Sequence, residues 1–239
     1  MQRLVVTPEQ FDGDSLVYLT PEQRHYLLSV LRLRIGDRLI TLNGSGKGWL
    51  TELVSEATLG LLEPYQFKTE LPCPVQLVAA LPKNGFDEVV RCCTELGVMR
   101  ITPIFSARTV LKPSANKLKR WQKIATEAAE QSERAFVPTI DAPVKFGDYL
   151  QQQGNSTHYL CAARAESPHL LGLLTTHALS NKSHDDLAIC VGPEGGWTEP
   201  EIEQAIAHGM TTASLGRSIL RAVTASITAM SLANAALRH

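Results

Sequence analysis

LAICVGPEGGW, residues 187–197, decides how this chain is read. Leu187, Ala188, Ile189, Cys190 and Val191 form an uncharged run, the pattern of a strand buried on both faces. The run stops at Gly192-Pro193-Glu194-Gly195-Gly196, and a helix start follows at once. Thr198 and Glu201 stand at the spacing at which a hydroxyl and a carboxylate satisfy the open amides of a first helical turn. Glycine lets the backbone take positive φ or approach a ligand closely. Three glycines and a proline in five residues therefore predict a ligand-holding corner, with an ordinary strand-to-helix turn as the alternative. The spacing excludes the dinucleotide fingerprint G-x-G-x-x-G and the phosphate loop G-x-x-x-x-G-K-[ST].

Around this corner, residues 75 onward alternate strands with helices. Apolar runs predict strands at 75–81, 101–105, 158–162, 187–191 and 212–215. Helical spacing runs through Phe86, Val89, Val90, Cys93 and Leu96, through 116–134, through Ile202 and Ile206, and through 219–238. Such alternation implies an α/β fold with a mainly parallel sheet covered on both faces. Ligands of such sheets bind beyond the carboxyl ends of the strands. The loops after Ala162, Val191 and Leu215 would all open on that edge. Pro64, Pro72 and Pro74 mark a boundary within residues 63–74. Residues 1–62 before it read as a small β-rich unit, with a helix start at Thr20-Pro21-Glu22-Gln23. Thr7-Pro8-Glu9-Gln10 echoes that start, but four residues do not make a repeat. Asn43-Gly-Ser-Gly-Lys-Gly48 has the wrong spacing for a phosphate loop and reads as a hairpin turn.

The chain has 239 residues, 44% of them hydrophobic and 20% charged, enough for an ordinary core in one or two domains. Net charge is −1, so a nucleic-acid site must be a local patch. Residues 83–123 supply one: nine Lys or Arg stand against three acids. No window reaches the roughly 18 apolar residues of a membrane span, and the first residues do not form a signal peptide. Cys73, Cys92, Cys93, Cys161 and Cys190 make no C-x-x-C pair. They read as reduced thiols of a cytoplasmic protein without metal or membrane partner. Glu127, Glu130 and Arg134 stand three and four apart, as on one helix face, where a surface salt-bridge ladder is the plain alternative. In Leu215-Gly-Arg-Ser-Ile-Leu-Arg-Ala222, Gly216 follows a strand, and Ile219 and Leu220 offer an apolar wall for a flat ring.

Taken together, these segments resemble the bacterial 16S ribosomal RNA uridine-N3 methyltransferases of the SPOUT class. The matching residues are Thr94-Glu-Leu-Gly-Val98, Ile101-Thr-Pro103 with Arg108, Arg120-Trp121, Glu127-Ala-x-Glu-Gln-Ser-x-Arg134, Val191 to Gly196, and Leu215-Gly216 with Ile219-Leu-Arg221. Arg3, His25 and Val30-Leu-Arg32 match the family's N-terminal part. The sequence departs from the family pattern at Cys92, Ser218, Ala222 and Val223.

The resemblance implies a PUA-like RNA-binding β-barrel over 1–70 and a SPOUT methyltransferase domain with a trefoil knot over 74–239. It implies a homodimer that methylates N3 of a uridine in 16S ribosomal RNA of the small subunit, with S-adenosylmethionine as cofactor. Carried over by position, the cofactor residues are Gly192, Pro193, Glu194, Gly195, Gly196, Leu215, Gly216, Ile219, Leu220 and Arg221. Arg134 and Arg221 are candidates for stabilising the uracil anion and Glu130 for the base. RNA contacts are expected from Arg3, Arg24, Arg32, Arg34 and Lys47 before the boundary, and from Lys83, Arg108, Lys117, Lys119 and Arg120 of the basic segment. The alternatives are a SPOUT enzyme acting on transfer RNA and a non-catalytic RNA-binding assembly factor.

Overall fold

The computed structural model describes residues 1–109, 114–154, 156–163, 166–180 and 185–238, and Lys112 of the basic segment lies outside them. The chain divides into two compact units, Met1–Glu70 with Ala129–Val137, and Leu71–Ala128 with Pro138–His239.

The first unit comprises β1 (Arg3–Val5), β2 (Phe11–Asp12), β3 (Leu16–Tyr18), α1 (Pro21–His25), β4 (Arg38–Leu42), β5 (Gly48–Ser55) and β6 (Thr58–Tyr65). The sheet runs β1-β4-β5-β6-β3-β2, parallel only between β1 and β4. Val17, Leu27, Leu39, Leu53 and Leu59 are fully buried in its core. Each such side chain contributes about 1.5–3 kcal/mol. The two Thr-Pro-Glu-Gln stretches are a pair of caps. Gln10 and Gln23 each accept the N–H of their own threonine, at 3.0 and 2.9 Å, and Gln10 Nε2 donates to Gln23 Oε1 at 2.7 Å.

Sequence spacing did not foresee that Ala129–Val137 would pack with the first unit. Glu70 explains it. Its carboxylate accepts Arg134 Nη2 at 2.7 Å and the N–H of Ala135 at 2.8 Å, while Arg3 pairs with Glu133 at 2.7 Å.

The second unit comprises β7 (Val75–Ala80), α2 (Phe86–Glu95), β8 (Arg100–Phe105), α3 (Ala115–Gln131, its end counted with the first unit), β9 (Thr139–Ile140), β10 (Val144–Lys145), α4 (Phe146–Gln152), β11 (Thr157–Cys161), α5 (Leu170–Ala178), β12 (Leu187–Val191), α6 (Glu199–Ala207), β13 (Thr211–Ala213) and α7 (Ala222–Leu237). The strand order is β10-β8-β7-β12-β11-β13, with β9 also on β8, and every pairing is parallel. The opening stretch supplies the central strand β12, buried at all five residues between β7 and β11. Phe146 of α4 and Ala205 of α6 share a core cluster with Val78, Leu160 and Cys190 of the sheet. The alanine-rich α7 packs on α2 and α5, and against β7 and β12.

Three expectations need correction. Helix α3 ends at Gln131, and Glu133 turns the chain at φ +63°, so Arg134 does not continue the face of Glu127 and Glu130. Helix α7 begins at Ala222, not at residue 219, because Arg221 is extended (ψ 152°) as its N-cap. Strand β13 stops at Ala213, which leaves Leu215 in the loop. Helices α4 and α5 had no clear sequence signal: α4 has seven residues, and α5 carries four leucines in its first five positions.

Candidate functional site

Because β11, β12 and β13 are parallel neighbours, the loops leaving them open on one edge of the sheet. They enclose a cavity of about 540 Å³. Gly192, Pro193 and Gly196 line it from the loop after β12, and Leu215, Gly216, Ile219 and Leu220 from the loop after β13. Three residues expected beside them, Glu194, Gly195 and Arg221, are not among its lining.

The reason for the first two lies in how the glycine loop is tied down. Glu194 turns away, and its Oε1 accepts the N–H of Lys83 at 2.9 Å. Arg108 Nη1 donates to the Gly195 carbonyl at 2.7 Å. A Cβ on Gly195 would lie 3.1 Å from Arg108 Cδ, so the missing side chain makes room for the arginine. Trp197 Nε1 donates to the Cys161 carbonyl at 3.0 Å, which fastens the loop to the end of β11. A Cβ on Gly192 would sit 3.0 Å from that indole. Glu201, 8% exposed, secures the following helix: it accepts the N–H and hydroxyl of Thr198, each at 2.8 Å, and the N–H of Ala107 at 2.7 Å.

The loop after β13 is also preset. Gly216 has φ +119°, where a side chain is strained, and its N–H donates to Ser214 Oγ at 3.1 Å. Sequence reasoning missed Glu166, His169, Arg217 and Ser218, which add ionisable and polar groups to the lining. The loop after Ala162 was expected on this edge, but no spacing signals Glu166 or His169. Leu215, Ile219, Leu220, Ala222 and Ala225 make the rest of the lining apolar or small. A mostly apolar cavity with a few polar and ionisable groups is the usual form of a small-molecule site. Burial pushes the Cys161 thiol up to about 12, so it is a neutral thiol there.

The remaining expected residues are dispersed. Arg134, 1% exposed, is bound to Glu70 within the first unit, and Glu130 Oε1 accepts the Val5 N–H at 2.7 Å. Neither is among the cavity lining, whereas Arg221 stands between its lining residues Leu220 and Ala222. Arg3 is no surface cation: its side chain is 9% exposed and paired with Glu133. Arg120 pairs with Asp87 at 2.7 Å. Arg24, Arg32, Lys83, Lys117 and Lys119 are exposed and make no ion pair among the described residues. Val223, one of the departures from the family pattern, packs beside Gly85, the N-cap of α2. Among the described residues no three His, Cys, Asp or Glu cluster as metal ligands, and no helix is long and apolar enough to cross a membrane.

Comparison with known proteins bears on both units. The RNA methyltransferase domain profile matches residues 69–234, and the RNA methyltransferase PUA domain profile matches residues 19–59. The chain is 46% identical to ribosomal RNA small subunit methyltransferase E of Synechocystis sp., over 98% of its own length and 78% of that protein. It is 32% identical to the protein of that name from Bacillus subtilis, over 97% and 95% of the two chains. It also resembles the crystal structure of a ribosomal RNA small subunit methyltransferase E from Neisseria gonorrhoeae bound to S-adenosyl methionine. The TM-score is 0.83 and the identity 28%, over 97% and 95% of the chains.

Proposed function

The chain belongs to the RNA methyltransferase family, among the ribosomal RNA small subunit methyltransferases E, and on that premise we propose that it methylates N3 of a uridine in 16S ribosomal RNA, using S-adenosylmethionine. The cavity at the carboxyl edge of β11, β12 and β13 carries this reading. Its volume falls in the roughly 300–1,000 Å³ range of small-molecule sites. Leu215, Ile219 and Leu220 give an adenine ring apolar walls. Glu166 and Arg217 give the amino and carboxylate groups of the methionine end opposite charges.

When bound, the cofactor would supply an electrophilic methyl group on a sulfonium, whose sulfur departs as a neutral thioether. The protein's share is to orient uracil N3 and to favour loss of its proton. We assign anion stabilisation to Arg221, an exposed residue between the cavity-lining Leu220 and Ala222. Arg134 and Glu130, expected in catalysis, we assign to holding the first unit together, where both have partners. Lys83, Lys117, Lys119, Arg24 and Arg32 are the proposed RNA contacts. A trefoil knot in the second unit, a PUA-like barrel in the first, a homodimer and a cytoplasmic location belong to the same reading.

Small ribosomal subunits from a strain lacking its own enzyme, incubated with the protein and S-adenosylmethionine, test it. Nucleoside mass spectrometry should find N3-methyluridine; methyl groups on another atom, or none, would refute the assignment. Arg221→Ala should lower kcat by about a hundredfold with little change in cofactor affinity, an effect typical of a lost transition-state charge contact.

A further inference from the structure

A second cavity, of about 470 Å³, lies within the first unit and plays no part in the reading above. Four aromatic residues line it, Trp49, Tyr65, Phe67 and Phe136, all half-buried; the Trp49 ring also packs on Phe11 at 5.1 Å. Four of the chain's 14 Phe, Trp and Tyr residues thus meet in one open cleft. Two of the rings lie on bare backbone. A Cβ on Gly46 would fall 2.6 Å from Phe136 Cζ, and one on Gly48 would fall 2.4 Å from Phe67 Cε2. Tyr65 meets Phe67 edge-on at 5.0 Å, which fixes that ring further. The loop beneath is also preset: Asn43 Oδ1 accepts the N–H groups of Ser45 and Lys47 at 3.0 and 3.1 Å, and Gly46 N–H donates to Ala135 O at 3.1 Å.

Charge decides what such a cleft would take. It has two charged lining residues, Lys47 and Glu70. The Glu70 carboxylate is taken up by Arg134 and by the N–H groups of Ala135 and Phe136. Lys47 is exposed and makes no ion pair among the described residues. Immobilised aromatic faces with one open cation match a nucleobase with its phosphate. The first unit as a whole holds eight Lys and Arg against eleven Asp and Glu, so bulk charge does not draw RNA to it. At the cleft itself stacking supplies most of the affinity and Lys47 a single phosphate contact.

We propose that this cleft holds an unstacked base of the RNA substrate, ring against the aromatic walls and phosphate at Lys47; the proposal rests on RNA being the substrate. Tryptophan fluorescence reads it directly, because Trp121 and Trp197 are 1% and 8% exposed while Trp49 is half-buried at the cleft. Titration of the full chain with single-stranded oligouridylate should quench that emission, and Trp49→Phe should remove the signal. Phe136→Ala should weaken binding by about tenfold, as expected for one lost stacking contact. Phe136→Leu, which keeps the volume and guards against misfolding, should weaken it similarly. Lys47→Ala should reduce the logarithmic salt slope by roughly 0.7, one phosphate on a single strand.

Wild-type affinity in both Phe136 variants would overturn the proposal. So would ultraviolet cross-links from the cleft to a ribosomal protein instead of RNA in the complex with small subunits. If wild-type protein makes N3-methyluridine while the cleft variants bind RNA normally, the cleft assignment fails and the methyltransferase reading stands. If no methyl transfer occurs but Phe136→Ala still weakens oligouridylate binding about tenfold, the cleft assignment stands and the methyltransferase reading fails.

Discussion

At the scale of single residues, the glycine-rich loop owes its shape to Arg108 as much as to its own sequence. The Arg108–Gly195 bond is charge-assisted but exposed, so the low end of the usual range applies, about 1.4 kcal/mol. Arg108→Ala should raise the S-adenosylmethionine Kd roughly tenfold by titration calorimetry. An unchanged Kd would show that the loop keeps its shape without the arginine. Gly216, at φ +119°, and Gly196, at φ +69°, differ in what they tolerate. Gly216→Asn should cost about 1–3 kcal/mol in urea denaturation, while Gly196→Asn should cost less, since asparagine accepts the left-handed region. Gly192, Pro193, Gly196, Leu215, Gly216, Ile219 and Leu220 line the cavity; the residues alone suggested a glycine-rich corner and an apolar wall, and the family resemblance implied the rest. Glu166 and His169 were legible from neither. They reach the cavity only because β11 lies beside β12 and β13, a pairing between distant segments.

At the scale of elements, legibility followed period and punctuation. Strand β12 and the start of α6 were readable from a five-residue apolar run and the Thr198–Glu201 spacing. Helix α7 was readable as a helix but not in its first turn, because Arg221 continues the sequence pattern while its backbone is extended. The α6 cap predicts a cost. Glu201→Ala would leave the Ala107 and Thr198 N–H groups without their carboxylate, and should lower stability by about 2 kcal/mol in urea unfolding. Glu201→Gln should lose less, since one amide oxygen still accepts. Strand β11 carries a second test. Burial holds the His158 imidazole below its ordinary range, and its Nδ1 donates to Ser156 O at 2.8 Å while Nε2 accepts from Tyr149 Oη at 3.0 Å. The unfolded chain binds that proton more readily. The stability from this group is therefore full above the unfolded value of about 6.5 and falls as pH drops through it. Denaturant midpoints of His158→Gln should vary less with pH between about 5 and 7 than those of the wild type.

At the scale of the whole molecule, Ala129–Val137 belongs with the first unit although some sixty residues of chain separate it from Glu70. Residues 1–70 alone would lack Arg134, Ala135 and Glu133, and with them the partners of Glu70 and Arg3. That fragment should unfold well below the intact protein, or without cooperativity, by circular dichroism. A melt equal to that of the full chain would show the returning segment to be dispensable. The proposed homodimer should appear in light scattering as twice the 26.2 kDa chain mass. The sequence by itself determined the alternating α/β character, the central buried strand and the glycine-rich corner, because each depends on periods, caps and turn chemistry within a dozen residues. Tertiary structure alone decided that Arg108 braces the loop, that Glu194 faces away from the cavity, that Arg134 is buried on Glu70 while Arg3 pairs with Glu133, and that four aromatic residues line one cleft. Those facts depend on which distant segments lie side by side, and neither hydrophobic period nor local spacing carries that information.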